Sequence, residues 1–160
     1  MPAMTELPTE PLWATGRSLP ISPEAAPTAR DFTAGFLVGK ARLDAGHVGD
    51  VVLVVSELVT NAIKYGANAR PNIYLEVGIW SKWTLITVDD RDPQVYEAAP
   101  ERDDELRESG RGLDIVRAYA ERFWWDPKLI SKTANAAVLR PGVKLTDEDN
   151  AILDDLEADG

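Results

Sequence analysis

Two runs of alternating side chains constrain the fold of this chain more than any other feature. Ile73, Leu75, Val77 and Ile79 recur at every second position. Thr84, Ile86, Val88 and Asp90 repeat the pattern after the break Trp80-Ser81-Lys82-Trp83. A period of two marks a strand with one buried face, and a short break between two such runs predicts a β-hairpin. The apolar face of that hairpin needs a second layer to cover it.

The preceding segments read as helices able to supply that layer. Ser22, Pro23 and Pro27 are start signals, and Ala25, Ala29, Phe32, Phe36 and Leu43 recur at helical spacing, so a first helix runs to about residue 43. A second helix is expected over residues 47–65, stopping at Gly66, with an apolar stripe through Val48, Val51, Val52, Val55, Leu58, Val59 and Ala62. Residues 12–19, between Pro11 and Pro20, fit a short edge strand. Residues 91–110 are polar and carry a charge cluster, which predicts a long loop of the functional or disordered kind. A third helix is expected over 111–122, followed by strands over 122–126 and 134–140. Two helices precede the hairpin and one follows it, which predicts an α+β two-layer sandwich. Its sheet is mostly antiparallel, and its helices lie on one face. The chain divides into a flexible N-terminus with its edge strand (1–19), one domain (20–142) and an acidic tail (143–160).

Composition removes several classes of function. The chain has no Cys, so thiolate chemistry and disulfides are out, and its single His47 cannot form a His-cluster metal site; it reads as a cap or surface residue near a helix start. The net charge is −10. The last sixteen residues carry seven acids and no base, leaving −3 for the rest. No cluster of Lys and Arg offers a grip on phosphate backbones, so direct nucleic-acid binding is not expected. The start of the chain is polar, and no apolar run approaches the ~20 residues of a bilayer span. A cytoplasmic protein with no membrane partner is the expectation. The acidic tail reads as a solvated segment, although Leu145, Ile152, Leu153 and Leu156 allow an amphipathic helix that docks on the domain or on a basic partner.

Three segments carry the chemistry. In Glu57-Leu58-Val59-Thr60-Asn61, the acid and the amide lie four apart on one face of the second helix. Lys64 falls on the same stripe, as a candidate for phosphate or as a plain surface lysine. A carboxamide oxygen suits Mg²⁺, which keeps most of its shell as water and phosphate oxygens, and a carboxylate one turn away can take a proton from a nucleophile. In Val88-Asp89-Asp90, the second acid shares a strand face with Ile86 and Val88. It points into the layer between sheet and helices, where it can accept from an exocyclic amine such as that of adenine. Ser109-Gly110-Arg111-Gly112 opens the third helix, where glycines let backbone N–H groups approach an anion and Arg111 adds positive charge. Taken singly, these are also a solvated helix face, a turn acid or member of an acid cluster with Asp89 and Asp92, and a loop-to-helix junction.

Together, Glu57-x-x-x-Asn61, Val88-x-Asp90 and Gly110-x-Gly112 resemble the N box and the two glycine boxes of the GHKL ATPases. Ser56-Glu57-Leu58-Val59-Thr60-Asn61-Ala62 and Ser109-Gly110-Arg111-Gly112-Leu113 resemble the small anti-sigma-factor serine kinases of actinobacteria in particular. The resemblance covers residues 20–140. It implies a Bergerat fold that binds ATP, with Asn61 on Mg²⁺, Glu57 as catalytic base, and Asp90 reading adenine with help from Thr133. Gly110, Arg111 and Gly112 then form the phosphate end of a lid. It implies protein partners, a sigma factor and an antagonist phosphorylated on Ser, and it admits a homodimer. Two departures stand out: the first glycine box reads Asp90-Arg91-Asp92-Pro93-Gln94 without its glycines, and Tyr65 stands where many relatives have His. A nucleotide-gated interaction module without transferase activity, and a stand-alone histidine-kinase-type catalytic domain, are the rival readings.

Overall fold

The computed structural model describes residues 9–65, 72–90, 104–128 and 131–158. Its elements, in chain order, are β1 (Trp13–Pro20), α1 (Ala25–Ala41), α2 (Ala45–Tyr65), β2 (Asn72–Ile79), β3 (Trp83–Asp90), α3 (Asp104–Tyr119), β4 (Arg122–Pro127), β5 (Lys132–Leu139) and α4 (Asp147–Ala158). The strands form one sheet in the order β1-β2-β3-β5-β4, and every pairing is antiparallel. The expected α+β architecture is therefore present. The expected glycine stop at residue 66 and most of the 91–110 segment lie outside the described residues.

One face of the sheet is apolar and covered by helices. Ile73, Leu75 and Val77 of β2, Ile86 and Val88 of β3, and Ala134, Ala136 and Val138 of β5 are all buried there. Against them α2 lays Val51, Val54, Val55, Leu58 and Val59, each essentially without solvent contact. By length and composition α2 also qualifies as a membrane span, with a mean hydropathy of 1.3 over Ala45–Lys64, although no unbroken apolar run of that length occurs in it. Its packing on the sheet and against α1 and α3 is that of a central core helix. In α1 the buried stripe runs through Ala25, Ala29, Thr33 and Leu37, while Phe32 and Phe36 sit at its margin.

His47 departs from expectation. It is not a surface residue: it is 1% exposed, and its Nε2 lies 2.8 Å from Thr84 Oγ1 of β3. The helix cap is instead Asp44, whose Oδ2 accepts from the N–H groups of Gly46 and His47. Burial holds the His47 imidazole below its ordinary pKa, against the opposing pull of the Leu139 backbone and of Asp50 and Asp44.

The third helix begins at Asp104, seven residues before the expected start. The charged stretch there was read as loop, yet Glu, Leu and Arg are good helix formers and acids favour the first turn. Gly110 and Gly112 consequently lie inside α3 rather than at its opening.

The acidic tail is not a fraying segment. Thr146 and Asp149 cap α4 reciprocally: Thr146 Oγ1 accepts from the Asp149 N–H at 3.1 Å, and Asp149 Oδ2 accepts from the Thr146 N–H at 2.8 Å. The helix lies on the face of the sheet opposite α1–α3. Ile152 and Leu153 pack there on Ala137 and on Trp80 and Trp83, whose rings stack at 5.6 Å. Lys82 pairs with Asp149, and Arg122 of β4 pairs with Asp154 and Glu157. Both faces of the sheet thus carry helix, where one was expected.

Leu153→Ala should destabilise the protein by about 2–5 kcal/mol, as for other fully buried leucines; a urea titration reads this as a lower midpoint. Burial raises the proton affinity of Asp149, but hydrogen bonds from Lys82 and Thr146 outweigh it and hold the carboxyl below the usual carboxylate range. A depressed folded-state pKa contributes stability above the unfolded value of about 3.9 and loses it as the pH falls through the folded value. The stability gap between wild type and Asp149→Asn should therefore be largest near neutrality and shrink below about pH 4, which urea midpoints across pH measure.

Candidate functional site

The buried face of α2 runs without a break from Val48 to Ala62. A helix buried along that whole length must stay over the sheet. Its start is pinned at Thr84 by His47, so it runs in the direction of β3. From that contact Asn61 lies fourteen residues along the helix, about 20 Å at 1.5 Å per residue. Asp90 lies six residues along the strand, again about 20 Å. The polar stripe of α2 and the terminal acid of β3 therefore reach the same end of the molecule.

Glu57 and Asn61 are half-buried and Lys64 is exposed. The α3 helix crosses α2 at this stripe. A Cβ added to Gly112 would lie 2.7 Å from Glu57 Oε2, so any larger residue there would push the Glu57 carboxylate aside. Next to Glu57, Ser56 Oγ accepts from Arg30 Nη1 of α1 at 3.0 Å. The structure thus brings Glu57 and Gly112 into contact and sets Asn61 one turn further along.

The glycine segment differs from expectation in one respect. With α3 starting at Asp104, the N–H groups of residues 110–112 fall within the helical hydrogen-bond ladder, and the unpaired N–H groups belong to the first turn. In this conformation the segment does not present free amides to an anion. The side chain of Arg111 lies outside the described residues.

Asp90 points into the layer between sheet and helices, as the alternation predicts, and is 3% exposed. It does not stand alone there. Its register partner on β5 is Lys132, which is 1% exposed and places Nζ 3.0 Å from both carboxylate oxygens. The same ammonium lies 5.3 Å from the centre of the Trp125 ring. Removing one member of such a pair leaves a buried charge, at a typical cost of about 3–5 kcal/mol. Lys132 is the residue that sequence reasoning missed. The signal was present: if Ala134, Ala136 and Val138 face the helices, parity puts Lys132 on the same side.

The same parity corrects the grouping of Thr133 with Asp90. Thr133 pairs with Asp89, and both face the opposite side of the sheet. Its hydroxyl accepts from Asn135 Nδ2 at 3.0 Å. The sheet itself separates Thr133 from the side that Asp90 faces.

Chemically, the inner arrangement offers a carboxylate and a carboxamide on one helical stripe. A closely approached glycine backbone lies beside them, and a buried carboxylate–ammonium pair marks the strand end. Among the described residues, no group of three or more His, Asp or Glu side chains could hold a metal ion by itself. A divalent ion here would rely on Asn61 together with oxygens from a ligand.

Compared with curated protein sequences, the chain matches none. Among solved structures it is similar to the crystal structure of the RsbU and RsbW domains of Rv1364c from Mycobacterium tuberculosis, with a TM-score of 0.60 and 20% identity. The likeness covers 86% of this chain and 36% of that one, so the chain spans about a third of the larger protein. At that identity the likeness speaks for the fold alone. A family model for the histidine kinase-like ATPase domain matches residues 19–135. That match takes in the three helices of the inner layer, the Glu57–Asn61 stripe, Asp90 and Lys132, and by it the chain belongs to the histidine kinase-like ATPase domain family.

Proposed function

We propose that this protein is an ATP-dependent serine kinase of the anti-sigma type, acting on a protein partner. The observation that carries the reading is the contact of Glu57 with Gly112, one helical turn from Asn61, at the end of the sheet that bears Asp90. ATP enters as the substrate with Mg²⁺. Asn61 supplies an amide oxygen to the metal. Glu57 accepts the proton of the attacking Ser hydroxyl as its oxygen bonds to the γ-phosphorus and the bond to the β-phosphate oxygen breaks. Most of the acceleration comes from positioning and charge neutralisation rather than from the base. Arg111 and Lys64 are the chain's cations for the phosphates, and residues 110–112 serve them once the first turns of α3 rearrange.

Asp90 is the acceptor for the adenine amine in this reading. A carboxylate has about four lone-pair sites, so it can accept from an adenine amine while it holds Lys132. Thr133, on the other face, takes no part. The engagement of Asp90 by Lys132 and the helical state of Gly110–Gly112 favour a second reading, a nucleotide-gated interaction module with little transfer. Labelled ATP with candidate partner proteins separates them. Acid-stable phosphate on a partner Ser supports the kinase, and nucleotide binding without transfer supports the module. Acid-labile phosphate on a partner His points to a histidine-kinase-type domain.

Glu57→Ala should retain Mg·ATP binding by calorimetry and lose about 10²–10⁴-fold in transfer rate, whereas Asn61→Ala should weaken Mg·ATP binding itself. Absence of any ATP affinity in the wild type removes the proposal. Lys132→Ala should lower stability by about 3–5 kcal/mol. If Asp90 contacts the base, saturating Mg·ATP should recover part of that loss, raising the melting temperature of the variant more than that of wild type.

A further inference from the structure

The outer face of the sheet carries a second group of polar side chains, on the side opposite Asp90. The register lines up Tyr74 of β2, Asp89 of β3, Thr133 of β5 and Asp126 of β4 in one row across four strands. The next row places Glu76, Thr87 and Asn135 side by side. These rows line a cavity of about 340 Å³, and Leu156 of α4 forms one of its walls.

Two carboxylates in this cavity are only partly engaged among the described residues. Asp126 is 9% exposed, yet among the described residues it accepts no hydrogen bond. Its nearest cation, Lys128 Nζ, stands 3.9 Å away on a side chain that is 55% exposed. Oδ1 of Asp89 is buried and has no hydrogen-bond partner among the described residues. Buried polar groups are almost always satisfied, so each exception calls for an explanation. Between the two acids the polar groups are fixed: Thr87 Oγ1 donates to Asn135 Oδ1 at 3.0 Å, and Asn135 Nδ2 donates to Thr133 Oγ1 at 3.0 Å. With Glu76, Asp89 and Asp126 set against Lys128, the lining has a net negative charge.

We propose that this cavity is a binding site for an extended organic cation, a chain bearing amine or guanidinium groups. A bare metal ion does not suit it. Asp89 and Asp126 lie two strands apart, about 10 Å along the sheet, whereas one ion needs its oxygens within about 2.6 Å of itself. An extended cation spans that gap with one charged end at each carboxylate. The ring of Tyr74, 38% exposed, offers a π-face to a cationic head, and Leu156 meets the methylenes. The ammonium of Lys128 already reaches water, so an incoming cation displaces it without stranding a charge. The ligand chemistry has two sources, a free polyamine-like molecule or a protein segment that carries two Arg side chains, and the proposal does not depend on the nucleotide reading.

The test uses the full chain, ¹⁵N-labelled, titrated with agmatine in one arm and with an N-acetylated, C-amidated Gly-Arg-Gly-Arg-Gly peptide in the other. The neutral n-butylurea serves as control. Saturable amide shifts at Thr87, Thr133 and Asn135 with either cation, and none with the urea, are expected; agmatine alone identifies a small-molecule site, and the peptide alone a protein-segment site. Asp126→Asn should weaken the binding roughly tenfold by removing a charged acceptor. Lys128→Ala, an exposed change that leaves the fold intact, should strengthen it several-fold. No saturable shift with either cation overturns the proposal. So does equal binding of the urea, or an affinity that Lys128→Ala leaves unchanged.

Discussion

The antiparallel register of β3 against β5 is the constraint on which the rest of the molecule depends. It sets Asp90 beside Lys132 and Asp89 beside Thr133. A slip of one residue would exchange the faces of every side chain on β5. Lys132 would then face the solvent side, and the carboxylate at the end of β3 would lie buried without its cation. The alanines and valine that α2 rests on would turn outward. Register, core and the chemistry of the cleft are thus one decision, and the cross-strand contact of a buried acid with a buried base helps to hold it.

The central helix serves two layers of this arrangement. Its valine-rich face, continuous from Val48 to Ala62, is buried on the sheet and gives the domain its core. The opposite stripe carries Glu57 and Asn61, with Glu57 against Gly112 of α3. Since one rigid helix bears both, the placement of the polar groups is fixed by the burial of the apolar ones. His47 sharpens this. Its contact with Thr84 anchors the start of the helix to the start of β3, and the equal reach of fourteen helical and six extended residues sets where the two elements arrive together.

The outer face follows a different logic. A sheet with one covered face leaves the other to water, and the aromatic pair Trp80–Trp83 would be exposed there. The last helix covers it, fixed by its reciprocal Thr146–Asp149 cap and by ion pairs from Lys82 and Arg122. The acids of that segment are therefore not only a solvated surface. Asp149, Asp154 and Glu157 hold the helix to the strands beneath it. The cover is partial, and where it ends at Leu156 the polar rows of the sheet remain open as a cavity.

The sequence by itself determined the local elements and their faces. Alternation along 73–79 and 84–90 specified the hairpin and the inward direction of Asp90. The 3.6-residue period specified α1 and α2, and the spacing of Glu57 and Asn61 specified one stripe, because these are properties of neighbours within a turn or a strand. Tertiary structure decided whatever depends on partners distant in sequence. His47 is buried because Thr84 lies across from it. Thr133 is parted from Asp90 because pairing with Asp89 gives it the other face. Lys132 joins Asp90 across forty-two positions of chain, and the tail becomes a packed helix because Trp80 and Trp83 offer it a surface. No local pattern encodes these contacts, since each one needs a register or a docking angle that only the assembled sheet supplies.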